Sequence, residues 1–156
     1  MKKLLAAMIT VAVLLTGCGI QSADDYYNIE SASSDMSVLV SVDCSDILEN
    51  MSEVESGLEK YIPEYGLIFP DTDYPLLEGE TVYDLIVRIA RENGMQLETK
   101  GFFGNYEVEG IGFIYNSTCA DGRWICKVNG KTGPAVCSGY KLKDGDMVQW
   151  IYVCGS

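Results

Sequence analysis

The chain has 156 residues, 11 Lys+Arg against 23 Asp+Glu, a formal net charge of -12 and no histidine. That acidity argues against nucleic acid, which needs a basic face to neutralise phosphate, and against electrostatic docking on anionic lipid. The missing histidine removes Ser-His-Asp and Cys-His catalysis and every His-ligated metal site, so the sequence implies no catalytic residues, no metal and no cofactor.

Lys2 and Lys3 precede a short apolar run, Leu4 to Leu15, and then Leu15-Thr16-Gly17-Cys18. The run is too short to cross a hydrocarbon core of ~30 Å as a helix and fits the apolar region of a secretory signal. The tetrapeptide resembles a bacterial lipobox, which implies a signal over 1-17, cleavage between Gly17 and Cys18, and lipidation of Cys18. The expected setting is the outer face of a bacterial cell membrane, reached through the lipid anchor alone. Residues 18-36, rich in Ser, Asp and Glu, read as a flexible tether with a reach of ~20–25 Å.

A single domain is expected over 37-156. Val38, Val40, Val42 and Cys44 share one face at period two and predict a half-buried strand. The acidic segment Ser45 to Tyr61 reads as a broken helical insert, and Gly66 to Pro70 as a short strand bounded by breakers. Asp71, Asp73, Glu78 and Glu80 read as an acidic surface loop rather than a Ca²⁺ site, because their spacing does not follow an EF-hand. Thr81 with Asp84 three residues on predicts a shortened capping box. Val82, Leu85, Ile86, Ile89 and Ala90 then form one apolar face, and Asn93-Gly94 ends the helix. Beyond it come a short strand from Met95 to Thr99, a Gly-punctuated aromatic loop from Lys100 to Tyr106, and a bulged strand from Tyr106 to Tyr115. Trp124, Cys126 and Val128 alternate into Asn129-Gly130, a hairpin-turn dipeptide, and Met147 to Val153, apolar on both faces, predicts a central strand.

Three motifs in this order, Glu78-Gly79-Glu80-Thr81-Val82-Tyr83-Asp84-Leu85, Trp124-Ile125-Cys126-Lys127-Val128-Asn129-Gly130, and Tyr140-Lys141-Leu142-Lys143-Asp144-Gly145-Asp146 followed by Trp150-Ile151-Tyr152, resemble the transcobalamin C-terminal-like domain family. The resemblance covers roughly Val38 to Cys154, with Cys126 standing where the family more often has an aromatic residue. It implies an α+β fold: a β-grasp-like mixed sheet packed on one main helix, here with a short helical insert after the first strand. In that fold the first and last strands run parallel as neighbours, which implies a disulfide between Cys44 and Cys154. Cys119 and Cys137 would then staple the base of the Trp124 hairpin, and Cys126 would remain a buried, inert thiol. The residues alone leave the pairing of five thiols open.

The family resemblance, the anchor and the missing catalytic groups together lead to the expectation of a non-catalytic extracellular binding module that presents a small molecule or vitamin, cobalamin-like or other, to an uptake system. The alternative is a domain that binds a protein partner at the cell surface, and a thiol-redox protein is a remote third reading. Phe102, Phe103, Tyr106, Trp124, Asn129 and Tyr140 are the candidate residues for a ligand or partner surface.

Overall fold

The computed structural model describes residues 35–102 and 105–155; the expected signal segment, Cys18, most of the expected tether, and Phe103 lie outside them. Strand β1 (Ser37–Asp43) buries Val38, Val40 and Val42. The insert that follows is broken as the sequence predicts, into one helical turn, α1 (Asp46–Glu49), and 3₁₀ turns at Met51–Glu53 and Glu59–Tyr61. Strand β2 (Leu67–Pro75) is longer than the expected short strand and takes in Asp71 and Asp73. It can do so because it lies at the sheet edge, where prolines and acidic side chains cost few ladder bonds and discourage further pairing.

Helix α2 (Val82–Glu92) has the predicted capping box. Thr81 Oγ1 accepts from Asp84 N–H at 3.2 Å, and Asp84 Oδ2 accepts from Thr81 N–H at 3.0 Å. β-branched residues in this helix cost roughly 0.5–0.7 kcal/mol each against alanine. Burial of Val82, Leu85, Ile86 and Ile89 at 0 % exposure outweighs that, at about 1.5–3 kcal/mol per side chain.

Strands β3 (Leu97–Phe102), β4 (Asn105–Ile111) and β5 (Ile114–Tyr115) form a second, antiparallel sheet in that order. The bulged strand expected from Tyr106 to Tyr115 is thus two strands. Gly112 and Phe113, both at positive φ (59° and 68°), turn the chain between them.

Strand β6 (Arg123–Val128) ends at Asn129-Gly130, also at positive φ, but the expected return strand is absent. The chain makes one bridge, Val128 to Lys131, and enters a short helix, α3 (Pro134–Gly139), with Pro134 at its start. The antiparallel partner of β6 is instead β7 (Met147–Val153).

The main sheet has the order β2-β1-β7-β6, with β1 and β7 parallel at its centre and antiparallel strands on either side. With one long helix buried against the same core, this is the α+β, β-grasp-like arrangement the sequence predicts. In register, Val42 lies beside Trp150, and Trp150 beside Cys126. One face therefore carries Val40, Val42, Val148, Trp150, Tyr152, Trp124, Cys126 and Val128, all buried.

The disulfide pairing differs from the expectation. Cys119 is bonded to Cys154, with Cα atoms 5.4 Å apart, and Cys44, Cys126 and Cys137 are free. The reason is register. Asp43 pairs with Ile151 in the parallel ladder, so Cys44 comes level with Tyr152 and falls short of Cys154. Cys154 lies beside the next element, its N–H donating to Asp46 Oδ2 at 2.8 Å. The loop after β5 brings Cys119 there, with its N–H on the Tyr152 hydroxyl at 3.1 Å. The inert buried thiol is Cys44, at 0 % exposure, where burial first and the neighbouring Asp43 charge second push its pKa up to about 12.

Candidate functional site

The buried face of the main sheet does not fill the space beneath the β3–β4 hairpin. A cavity of about 640 Å³ lies there, lined by Trp124 and Cys126 of β6, Trp150 of β7, Tyr106 and Val108 of β4, and Cys137 of α3. Lys100, Gly101, Asn105 and Glu107 of the hairpin complete the lining. Helix α3 packs on β4, β6 and α2, which holds Cys137 over the sheet.

Each aromatic wall is fixed by a different contact. The Tyr106 ring stacks on Tyr83 of α2, with centroids 3.9 Å apart and planes 7° apart, and the Tyr83 hydroxyl is 3.2 Å from Thr99 Oγ1. Trp124 donates its indole N–H to the Ile114 carbonyl at 2.8 Å and meets Tyr152 edge-on at 5.3 Å. Its backbone N–H is held by Asn116 Oδ1 at 2.9 Å, while Asn116 Nδ2 donates to the Val108 carbonyl at 3.2 Å. One asparagine thus ties β6 to β4 across the cavity wall. Trp150 is different: it is 4 % exposed, and its buried Nε1 has no hydrogen-bond partner among the described residues. A buried N–H of that kind costs about 1–3 kcal/mol unless something accepts from it.

The polar part of the lining is nearly self-neutralised. Lys100 Nζ lies 2.9 Å from Glu109 and 3.3 Å from Glu107, and the hydrogen bonds it donates to Glu109 first and Glu107 second raise its pKa. The two cysteines are unequal. The Cys137 Sγ donates to the Cys126 carbonyl at 3.5 Å. The hydrogen bond from Cys126 brings Cys137 down to about 7 from an ordinary 9.0, while the same bond and burial push Cys126 strongly up.

Of the sequence candidates, Tyr106 and Trp124 line this cavity. Phe102 belongs to β3, and its side chain is not among those described; Phe103 lies outside the described residues. Asn129 and Tyr140 are not part of the cavity. Asn129 donates from Nδ2 to Asp146 Oδ1 at 2.8 Å and accepts from Met147 N–H at 2.9 Å, clamping the turn to the start of β7. Tyr140 takes Val82 N–H on its carbonyl at 3.1 Å, and burial first and the neighbouring Asp146 carboxylate second raise the pKa of its hydroxyl. The Asn-Gly and Asp-Gly-Asp motifs are therefore one fold clamp around the buried Asp146.

Sequence reasoning missed Trp150 and Cys137 as wall residues. The signal for Trp150 was present, since it alternates with Val148 and Tyr152 on one face of a strand. None existed for Cys137, which reaches the cavity only through the course of the loop after Gly130. The reading of Glu80 as loop surface is also overturned: Glu80 is 5 % exposed and pairs with Arg88 Nε at 2.7 Å. Among the described residues no group of three or more His, Cys, Asp and Glu could hold a metal ion, and no helix is long and apolar enough to cross a membrane. No family model and no curated protein matches this chain.

Proposed function

We propose that the chain is a lipid-anchored, extracellular binding module of transcobalamin C-terminal-like type, non-catalytic, that holds a small molecule beneath its β3–β4 hairpin for delivery to an uptake system. The observation that carries this reading is the cavity of about 640 Å³ walled by Tyr106, Trp124 and Trp150. Sites that bury small ligands span about 300–1,000 Å³ and are mostly apolar with a few convergent polar groups. Aromatic faces favour a flat, conjugated ligand by stacking, and the unpartnered Trp150 N–H favours one carrying an acceptor. A whole corrinoid exceeds this volume, so such a ligand would enter by part of its structure, and compact ring vitamins fit better.

The test is titration of the purified protein with corrinoids, haem and flat ring vitamins, followed by calorimetry and tryptophan fluorescence. Saturable heat together with quenching that W150F weakens supports the reading. The absence of both for every ligand would overturn it. Labelling growing cells with a fatty-acid analogue tests the anchor, because C18A must abolish incorporation.

A second reading, a surface protein partner, is favoured by a specific pair. Tyr61 (38 % exposed) and Phe113 (48 % exposed) pack ring to ring, with centroids 5.2 Å apart, and neither belongs to the cavity. Crosslinking at Phe113 without any cavity ligand would favour that reading.

A further inference from the structure

Cys126 and Cys137 are the two free thiols in the cavity wall, and they come from different elements, the central part of β6 and the last turn of α3. Cys126 is 3 % exposed, whereas Cys137 is only partly buried. The Sγ of Cys137 lies 3.5 Å from the carbonyl of Cys126, so the two residues meet in the cavity wall. The two thiols therefore face the same aromatic cavity with unequal access, Cys137 the more open and Cys126 the more buried. The third free thiol, Cys44, lies buried beside β7 and has no such access.

We propose that Cys137 and Cys126 are an exchange-active dithiol, a reversible modification site in the cavity wall that reacts with low-molecular-weight disulfides. Cys137 is the attacking sulfur and Cys126 the resolving one. The Cys137 thiolate attacks one sulfur of the reagent RSSR, whose S–S bond breaks, and RS⁻ leaves and takes up the proton that Cys137 released. Cys126 then gives up its proton and attacks the Cys137 Sγ, breaking the mixed disulfide and releasing a second RS⁻, which becomes RSH. Two electrons pass from the protein dithiol to the reagent. The products are one Cys126–Cys137 disulfide and two RSH. The new bond ties α3 to β6, so the wall of the cavity is covalently closed in the oxidised form and held by weaker contacts in the reduced one.

The lowered pKa of Cys137 supports the assignment of roles. At pH 7 a thiol near 7 is about half ionised, against about one part in a hundred for an ordinary 9.0. Lower basicity reduces the nucleophilicity of each thiolate, which leaves a net advantage of roughly fivefold in exchange rate at that pH. This inference is independent of which ligand enters the cavity.

The experiment uses the purified full chain, reduced, transferred to oxidised glutathione at pH 7, quenched with acid and mapped by peptide mass spectrometry. Wild type is expected to give a Cys126–Cys137 crosslinked peptide with no lasting glutathione adduct. C126S, which keeps an O–H beside Cys137, is expected to trap one glutathione on Cys137, about fivefold faster than the same thiol in urea. C137S should leave Cys126 unmodified. A wild-type chain that forms no such crosslink, or a C137S chain modified at Cys126 as fast as C126S is at Cys137, would overturn the proposal. Should either variant fail to fold, the wild-type crosslink decides by itself.

Discussion

Removing Arg88 from its pocket is the sharpest test of how this core is held. Arg88 is 8 % and Glu80 5 % exposed, yet the two are bonded twice, Nε to Oε1 at 2.7 Å and Nη2 to Oε2 at 2.9 Å. A third bond runs from Nη2 to the Pro75 carbonyl at 2.7 Å, and the guanidinium lies 4.7 Å from the centre of the Tyr74 ring. The cluster therefore fastens helix α2 to the end of the edge strand β2. Breaking a buried pair from one side leaves an uncompensated charge and typically costs about 3–5 kcal/mol. Glu80 keeps one further bond, from Leu77 N–H at 3.1 Å, which places R88M at the lower end, about 3 kcal/mol. For a domain of this size that lowers Tm by roughly 10–15 °C.

The double variant E80L/R88M removes both charges together and leaves two neutral groups short of a partner, the Leu77 N–H and the Pro75 carbonyl. Its expected cost is about 1–2 kcal/mol, less than either single change. The assay is urea unfolding followed by tryptophan fluorescence, with K100A as the control. Lys100 is exposed, so solvent screens its pairs with Glu107 and Glu109 and K100A is expected to leave stability nearly unchanged. An R88M cost under 1 kcal/mol, or a double variant as unstable as the sum of the single ones, would refute the argument that desolvated charge governs this site.

Three further outcomes are expected. The Cys119–Cys154 bridge spans 35 residues, so C119A/C154A should lose about 3–4 kcal/mol on the chain-entropy account, while C44A, which touches no bridge, should leave the disulfide intact by mass. Trp124 and Trp150 should respond differently to phenylalanine: W124F orphans the Ile114 carbonyl, whereas W150F removes an N–H with no partner. W150F should therefore be about 1–3 kcal/mol the milder of the two in denaturant unfolding.

The reduced protein should also show a pH signature. Because Cys137 is lowered from 9.0 to about 7, the folded state binds fewer protons than the unfolded one between those values. Its contribution is complete above pH 9 and disappears as pH falls through 7. Cys126 is raised, so above pH 9 its unfolded form loses a proton that the folded form keeps, and stability falls again. Unfolding free energy of the reduced chain should rise from pH 7 to 9 and then decline. A flat profile, or C137S with the same profile, contradicts the unequal dithiol.

How far the fold was legible follows from where each signal is local. The capping box and the five-residue apolar face of α2 are properties of a dozen consecutive residues, and the helix begins and ends where they place it. The period-two pattern of β1 and the apolar character of β7 likewise predict an inner strand and a central one. Edges and returns were less legible. Asp71 and Asp73 belong to a strand because β1 offers them a ladder on one side only, and Asn129-Gly130 makes only the single Val128–Lys131 bridge before Gly133 and Pro134, poor ladder formers, start α3.

By itself, the amino-acid sequence determined an acidic, histidine-free α+β domain with one capped helix and apolar first and last strands, because composition and periodicity act through neighbours in the chain; that those strands run parallel was implied by the family resemblance alone. Tertiary structure alone decided which sulfurs meet, why Glu80 is buried, and that two tryptophans and a tyrosine enclose a cavity. Those are matters of register, where a displacement of two residues separates Cys44 from Cys154 and brings Cys119 in its place.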